Sequence, residues 1–152
     1  MVELLVLAAV VAAIALQADD EHGDGGEPMP PTHGTIVVEP LWWHSDTAQQ
    51  QGIDNAPGAD AMANLLLLKQ QLDATFPGGY GVTNAFRSPA LNEALRARGY
   101  AAAANSWHLY GRAADVVVVG MSPSEAAAVA KSSNRFIEVI AYPRDGHLHV
   151  AI

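Results

Sequence analysis

The chain has 152 residues, enough for one domain with a sizeable core and too few for two ordinary ones. A formal net charge of -8, with the few Lys and Arg scattered, argues against a basic patch for nucleic acid or for an anionic membrane surface. Cysteine is absent, which excludes disulfides, thiolate metal sites and cysteine nucleophiles; any metal must be held by His, Asp or Glu.

Leu4 to Leu16 is almost wholly apolar. The run is shorter than the roughly 18 to 20 residues a helix needs to span a bilayer, and is closer to the core of a secretory signal. Ala13-Ile14-Ala15 offers a small-x-small cleavage site, although the residues before the apolar run carry Glu3 and no Lys or Arg. Residues 1–18 are therefore expected to be a signal peptide or hydrophobic N-terminal segment, directing export to the periplasm or cell wall. Asp19 to Pro31 crowds Asp, Glu, Gly and Pro together and cannot bury enough apolar surface to order itself. Residues 19–34 read as a flexible acidic linker, with His22 and His33 as solvated side chains in or beside it.

Beyond the linker, Thr35 to Glu39 has the pattern of a short strand. Trp42 and Trp43 are expected to pack in the core, and His44 to be a surface or helix-start residue before the Gly52 to Pro57 loop. Met62, Leu65, Leu66, Leu68, Leu72 and Phe76 make an approximate helical stripe over Asp60 to Phe76, stopped by Pro77-Gly78-Gly79. Tyr80 to Phe86 is a predicted strand; Ser88-Pro89 then opens a helix that Gly99 ends. Ala113 to Val119 is a continuous apolar run typical of a buried strand, and Ser122-Pro123-Ser124-Glu125 has capping-box spacing for a helix ending near Ser132. Phe136 to Tyr142 and His147 to Ile152 read as two strands joined by Pro143-Arg144-Asp145-Gly146, whose Asp-Gly suits a tight turn. The expected class is α+β, about three helices beside a small, largely antiparallel sheet.

Asp115 interrupts the apolar run of its strand. Burying an ionised carboxylate there costs several kcal/mol unless a counter-charge or a metal compensates it, so Asp115 needs Arg87, Arg112 or a metal as partner. His108 lies seven residues earlier with Gly111 between, and glycine permits the turn that would bring a loop histidine beside the strand carboxylate. His147 and His149 share one face of the last strand, roughly 6 to 7 Å apart along the backbone. Imidazole and carboxylate are ligands zinc prefers, and three of them with one open position make a catalytic site. One of the two strand histidines can bind the metal while its neighbour handles a proton. His147 is the first choice for that base and Asp145 the rival. Arg87 has the fork geometry for a substrate carboxylate or carbonyl oxygen, unless it is spent on an ion pair with an acid such as Asp115.

The ordered motifs resemble a known family. Ser106, His108, Gly111, Ala113 and Asp115 fill Ser-x-His-x-x-Gly-x-Ala-x-Asp, and His147 and His149 supply the following His-x-His. Upstream, Phe86-Arg87-Ser88-Pro89-Ala90-Leu91-Asn92 is similar to a Tyr-Arg-Ser-Pro-x-Leu-Asn segment, and Ser45 to Ala48, Asp54 to Pro57 and Asn64-Leu65 to an N-terminal signature. From about Leu41 to Ile152 the chain resembles the zinc D-Ala-D-Ala carboxypeptidase-like murein metallopeptidases, whose fold is shared by the hedgehog N-terminal domain. The resemblance implies a zinc metallopeptidase domain over residues 35–152, with one zinc ion on His108, Asp115 and His149. It implies that Arg87 engages the substrate near the scissile carbonyl or terminal carboxylate, which agrees with catalysis by Arg87 and His147 or Asp145; Ser106 is a further expected substrate contact. The implied substrate is a peptidoglycan stem peptide or cross-link containing D-amino acids, acted on by a monomer. A catalytically silent cell-wall or partner-binding module with the same fold is the alternative. The chain departs from the pattern at Ala151, where many relatives carry an acidic residue, at Asn84-Ala85-Phe86, and in the alanine tract Ala101 to Ala104.

Overall fold

A computed structural model describes residues 40–152. The expected signal-like segment, the acidic linker with His22 and His33, and the strand Thr35 to Glu39 lie outside the described residues.

The described chain folds into four α-helices and four strands: α1 (Asp46–Gln51), α2 (Ala59–Thr75), β1 (Tyr80–Asn84), α3 (Pro89–Ala97), β2 (Ala113–Val118), α4 (Pro123–Ser133), β3 (Glu138–Tyr142) and β4 (His147–Ala151). Two 3-10 turns, Pro40–Trp43 and Trp107–Tyr110, complete it. The α+β class is as expected, and α1 is an addition. Its signal is local: Ser45 Oγ accepts from the Ala48 N–H at 3.3 Å, and Gly52 closes the helix in the left-handed region at φ 64°. At six residues, with Ala48 alone buried, it is too short to show a helical stripe.

The sheet is antiparallel throughout, in the order β1-β2-β4-β3. Alternation along β2 sends Ala114, Val116 and Val118 into the core and turns Ala113, Asp115 and Val117 to the other face. Leu148 and Val150 of β4 extend the core face, and α2 and α4 cover it. In α2, Leu65, Leu68 and Leu72 are spaced to form one stripe and are fully buried, each contributing about 1.5–3 kcal/mol relative to exposure. In α4 the capping box is realised: Ser122 Oγ accepts from Glu125 N–H at 3.3 Å, and the Ser122 N–H donates to Glu125 Oε2 at 2.8 Å. Its inward residues are the small Ala126, Ala127 and Ala130, which let the helix lie close to the sheet. No helix among the described residues is long and apolar enough to cross a membrane.

A bulge shapes the opposite face. Val82 pairs with Val116, yet Asn84 pairs with Asp115, so Thr83 is an extra residue in β1. Without it Thr83 would oppose Asp115 and Asn84 would point into the core. With it, Asn84, Asp115, His149 and Ile140 form one row across the four strands.

Candidate metal centre

The centre is built on that row. Asp115 and His149 are direct cross-strand partners, and His149 Nδ1 lies 2.8 Å from Asp115 Oδ1. Asp115 Oδ2 accepts from Asn84 Nδ2 at 3.2 Å, and the Asp115 carbonyl accepts from Thr83 Oγ1 at 3.0 Å. The bulge therefore supplies two contacts to the same residue.

His108 arrives from the 3-10 turn. Ser106 Oγ accepts from the His108 N–H at 3.3 Å and caps that turn, and Gly111 ends it at φ 67°. Glycine is required there: a Cβ at this position would sit 2.5 Å from the Ala61 carbonyl oxygen, in a backbone region side chains rarely adopt. The turn is tied to the segment after β1 by the Arg87 N–H, which donates to the His108 carbonyl at 3.1 Å. His108 Nδ1–H donates to the Ala85 carbonyl, which leaves Nε2 facing Asp115 Oδ1 at 3.6 Å. At that separation the two atoms are close neighbours and not hydrogen-bonded.

His108, Asp115 and His149 thus offer ligand atoms that all lie within 4.8 Å of one another. The electrostatics suit a cation. Burial pushes the His108 ring below the ordinary histidine pKa, against the pull of the Asp115 carboxylate, so its free nitrogen keeps its lone pair. Burial also opposes the charge on Asp115, but the two neighbouring histidines outweigh it and hold the carboxyl well below the usual carboxylate range. For His149, burial disfavours protonation; Asp115 and then Glu138 outweigh burial and raise its pKa. A mostly buried site with two imidazoles and an ionised carboxylate, one imidazole already fixed through its outer nitrogen, fits a zinc-type ion.

Neither Arg87 nor Arg112 forms an ion pair with Asp115 among the described residues; the Asp115 partners are the histidines. Arg112 instead lies over the Trp107 ring, 5.0 Å from its centroid. Arg87 donates from Nη1 to Asn92 Oδ1 at 3.4 Å, while its buried Nε has no partner among the described residues. Burial lowers its pKa and the Asp115 charge opposes that shift. His147 lies on the same face of β4 as His149, outside the three-residue cluster, and stacks on Tyr142 with centroids 4.8 Å apart at 28°. Asp145 is exposed in the turn, its N–H donating to the Tyr142 carbonyl at 3.2 Å. Ser106 is occupied as the cap of the His108 turn. His44 is exposed at the start of α1, 3.1 Å from Asp46 Oδ1, in keeping with its reading as a helix-start residue.

Glu138 is not evident from the sequence. Its Oε1 lies 2.9 Å from His149 Nε2, on the side of the ring away from Asp115. A lone acid at the start of a strand carries no signal of its own; only the β3–β4 register, with Glu138 opposite Ala151, brings it to the site. Asn84 was likewise hidden, because its orientation depends on the bulge.

A family model described as Peptidase M15 matches residues 41–151. No curated protein matches the chain.

Proposed function

The chain belongs to the peptidase M15 family, and from that premise we propose that it is a zinc-dependent peptidase that hydrolyses bonds involving D-amino acids in peptidoglycan stems or cross-links. The observation that carries this reading is the convergence of His108, Asp115 and His149, drawn from a turn and two paired strands. Two neutral donors and one carboxylate leave a zinc ion with net positive charge. When bound, zinc supplies Lewis acidity, which polarises the scissile carbonyl and brings the pKa of water towards neutrality.

The remaining roles fall to the chain itself. His147, stacked on Tyr142 on the same strand face as His149, is assigned the proton: it takes one from the attacking water and returns it to the leaving amine. Arg87 is assigned the substrate anion. Its main-chain N–H donates to the His108 carbonyl, which places the residue beside the site, and its guanidinium Nε has no partner among the described residues. A buried donor without an acceptor is costly, and a substrate carboxylate or carbonyl oxygen would satisfy it. Export to the cell wall would place the enzyme with this substrate.

Mass spectrometry of purified muropeptides, digested with and without chelator, tests the proposal. Loss of a terminal D-Ala would identify a carboxypeptidase, and splitting of a cross-linked dimer an endopeptidase. Stoichiometric zinc with no change in any D-Ala-containing peptide would overturn the enzyme reading in favour of the silent binding module.

A further inference from the structure

The second carboxylate beside His149 belongs to no ligand set and to no assigned proton transfer. An imidazole that binds a metal uses one nitrogen, and the other must then carry its proton and find an acceptor. His108 solves this with the Ala85 carbonyl at Nδ1. In His149 the two nitrogens face different carboxylates: Nδ1 lies 2.8 Å from Asp115 Oδ1, and Nε2 lies 2.9 Å from Glu138 Oε1. The cluster converges on the Asp115 side, where His108 Nε2 also points. The nitrogen left over is Nε2.

We infer that Glu138 is a positioning residue of the metal centre: it accepts the Nε2–H of His149, fixes that tautomer, and aims Nδ1 at the metal. This rests on the zinc reading above. The fold explains why the carboxylate comes from β3. On β4 the same-face position next to His149 is Ala151, which has no acceptor, and Glu138 is the cross-strand partner of Ala151. It is therefore the diagonal neighbour of His149, within reach of a long side chain. The two histidines are in this way pinned in opposite tautomers, one by a main-chain oxygen and one by a carboxylate.

The test uses the full chain, with Glu138→Ala and Glu138→Gln compared with the parent by zinc affinity, in competition with a chromophoric chelator, and by nitrogen-15 NMR of the His149 ring in the zinc-loaded protein. The parent is expected to show a zinc-bound Nδ1 and a protonated Nε2. Removing such an outer partner costs about 10–100-fold in metal affinity, so Glu138→Ala should weaken zinc by that factor. Glu138→Gln keeps an acceptor oxygen, and should recover part of the affinity and the same tautomer. Because Glu138 is partly exposed, both variants should keep the parent's circular dichroism spectrum. Parent-like zinc affinity in Glu138→Ala, or ligation through Nε2 in the parent, would overturn the inference while leaving the zinc site standing. A parent chain that binds no zinc would overturn the zinc reading itself. Peptidase activity enters neither measurement, so failure to cleave a given peptide bears only on the substrate.

Discussion

His147 and His149 are two residues apart on one strand face, yet their surroundings differ. His149 faces Asp115 and Glu138, whereas His147 stacks on Tyr142 and stays outside the ligand cluster. His149→Ala should abolish stoichiometric zinc binding. His147→Ala should keep zinc and lose about 10²–10⁴-fold in turnover, the usual range for a general base. Equal loss of metal in both variants, measured by equilibrium dialysis, would show that base and ligand had been confused. The histidines also set a pH signature for protein stripped of metal by chelator. His108 is buried neutral, with its folded pKa below the unfolded value of about 6.5. The unfolded chain binds that proton more readily, so stability rises as pH climbs through the acid range towards 6.5. The folded pKa of His149 is raised, so its contribution is complete below about 6.5 and is lost as pH rises through the folded value. The contribution of the pair should therefore peak near the ordinary histidine pKa. Thermal melts of the stripped protein across pH 5 to 9 should show a component with that maximum, absent from a His108→Ala, His149→Ala double variant. The members of the cluster are legible in the sequence, because an acid inside an apolar strand and a His-x-His at strand period need only local geometry to be noticed. Glu138 is not, because its role exists only through pairing with another strand.

At the scale of elements, the site depends on how the segment after β1 is fastened. Buried Asn55, in the loop before α2, donates from Nδ2 to the Trp43 carbonyl at 2.6 Å and to the Phe86 carbonyl at 3.3 Å. Its Oδ1 accepts from the Ser88 N–H at 2.6 Å, so one side chain brackets Arg87 from both sides. Asn55→Ala leaves those groups short of partners, and should cost about 1–3 kcal/mol in chemical denaturation. It should also raise the KM for a carboxylate-bearing peptide while zinc affinity stays near the parent's. Unchanged KM would mean that Arg87 is positioned by other contacts. The turn carrying His108 leans on α2, so Gly111→Ala drives a Cβ towards the Ala61 carbonyl. A loss of about 2–4 kcal/mol is expected from overpacking and left-handed strain together, and a parent-like denaturation midpoint would contradict it. The long, strongly patterned elements could be read from the sequence: the α2 stripe, the Ser-Pro helix starts and the Asp-Gly hairpin. The short α1 could not, nor the bulge at Thr83, whose cause is the register of a pairing and not the composition of one strand.

For the molecule as a whole, one sheet separates two tasks. Its core face is sealed by α2 and α4, while its other face carries Asp115, His149 and their partners, partly open to solvent. The ligands come from three parts of the chain, so occupancy of the site should reinforce the folded state. At a free zinc concentration 100 times the dissociation constant, linkage gives about 2.7 kcal/mol of added stability. Chelator should lower the melting temperature and zinc restore it, whereas calcium, which favours more oxygen ligands, should not. The cluster is proposed to hold one zinc ion and to hydrolyse a peptide through it. The most direct measurement titrates chelator-stripped protein with zinc and follows bound metal and cleavage of a D-Ala-D-Ala peptide in the same samples. The expected result is a linear rise in both that breaks at one equivalent. Full activity before zinc is added, or a saturated site with no cleavage, would contradict it.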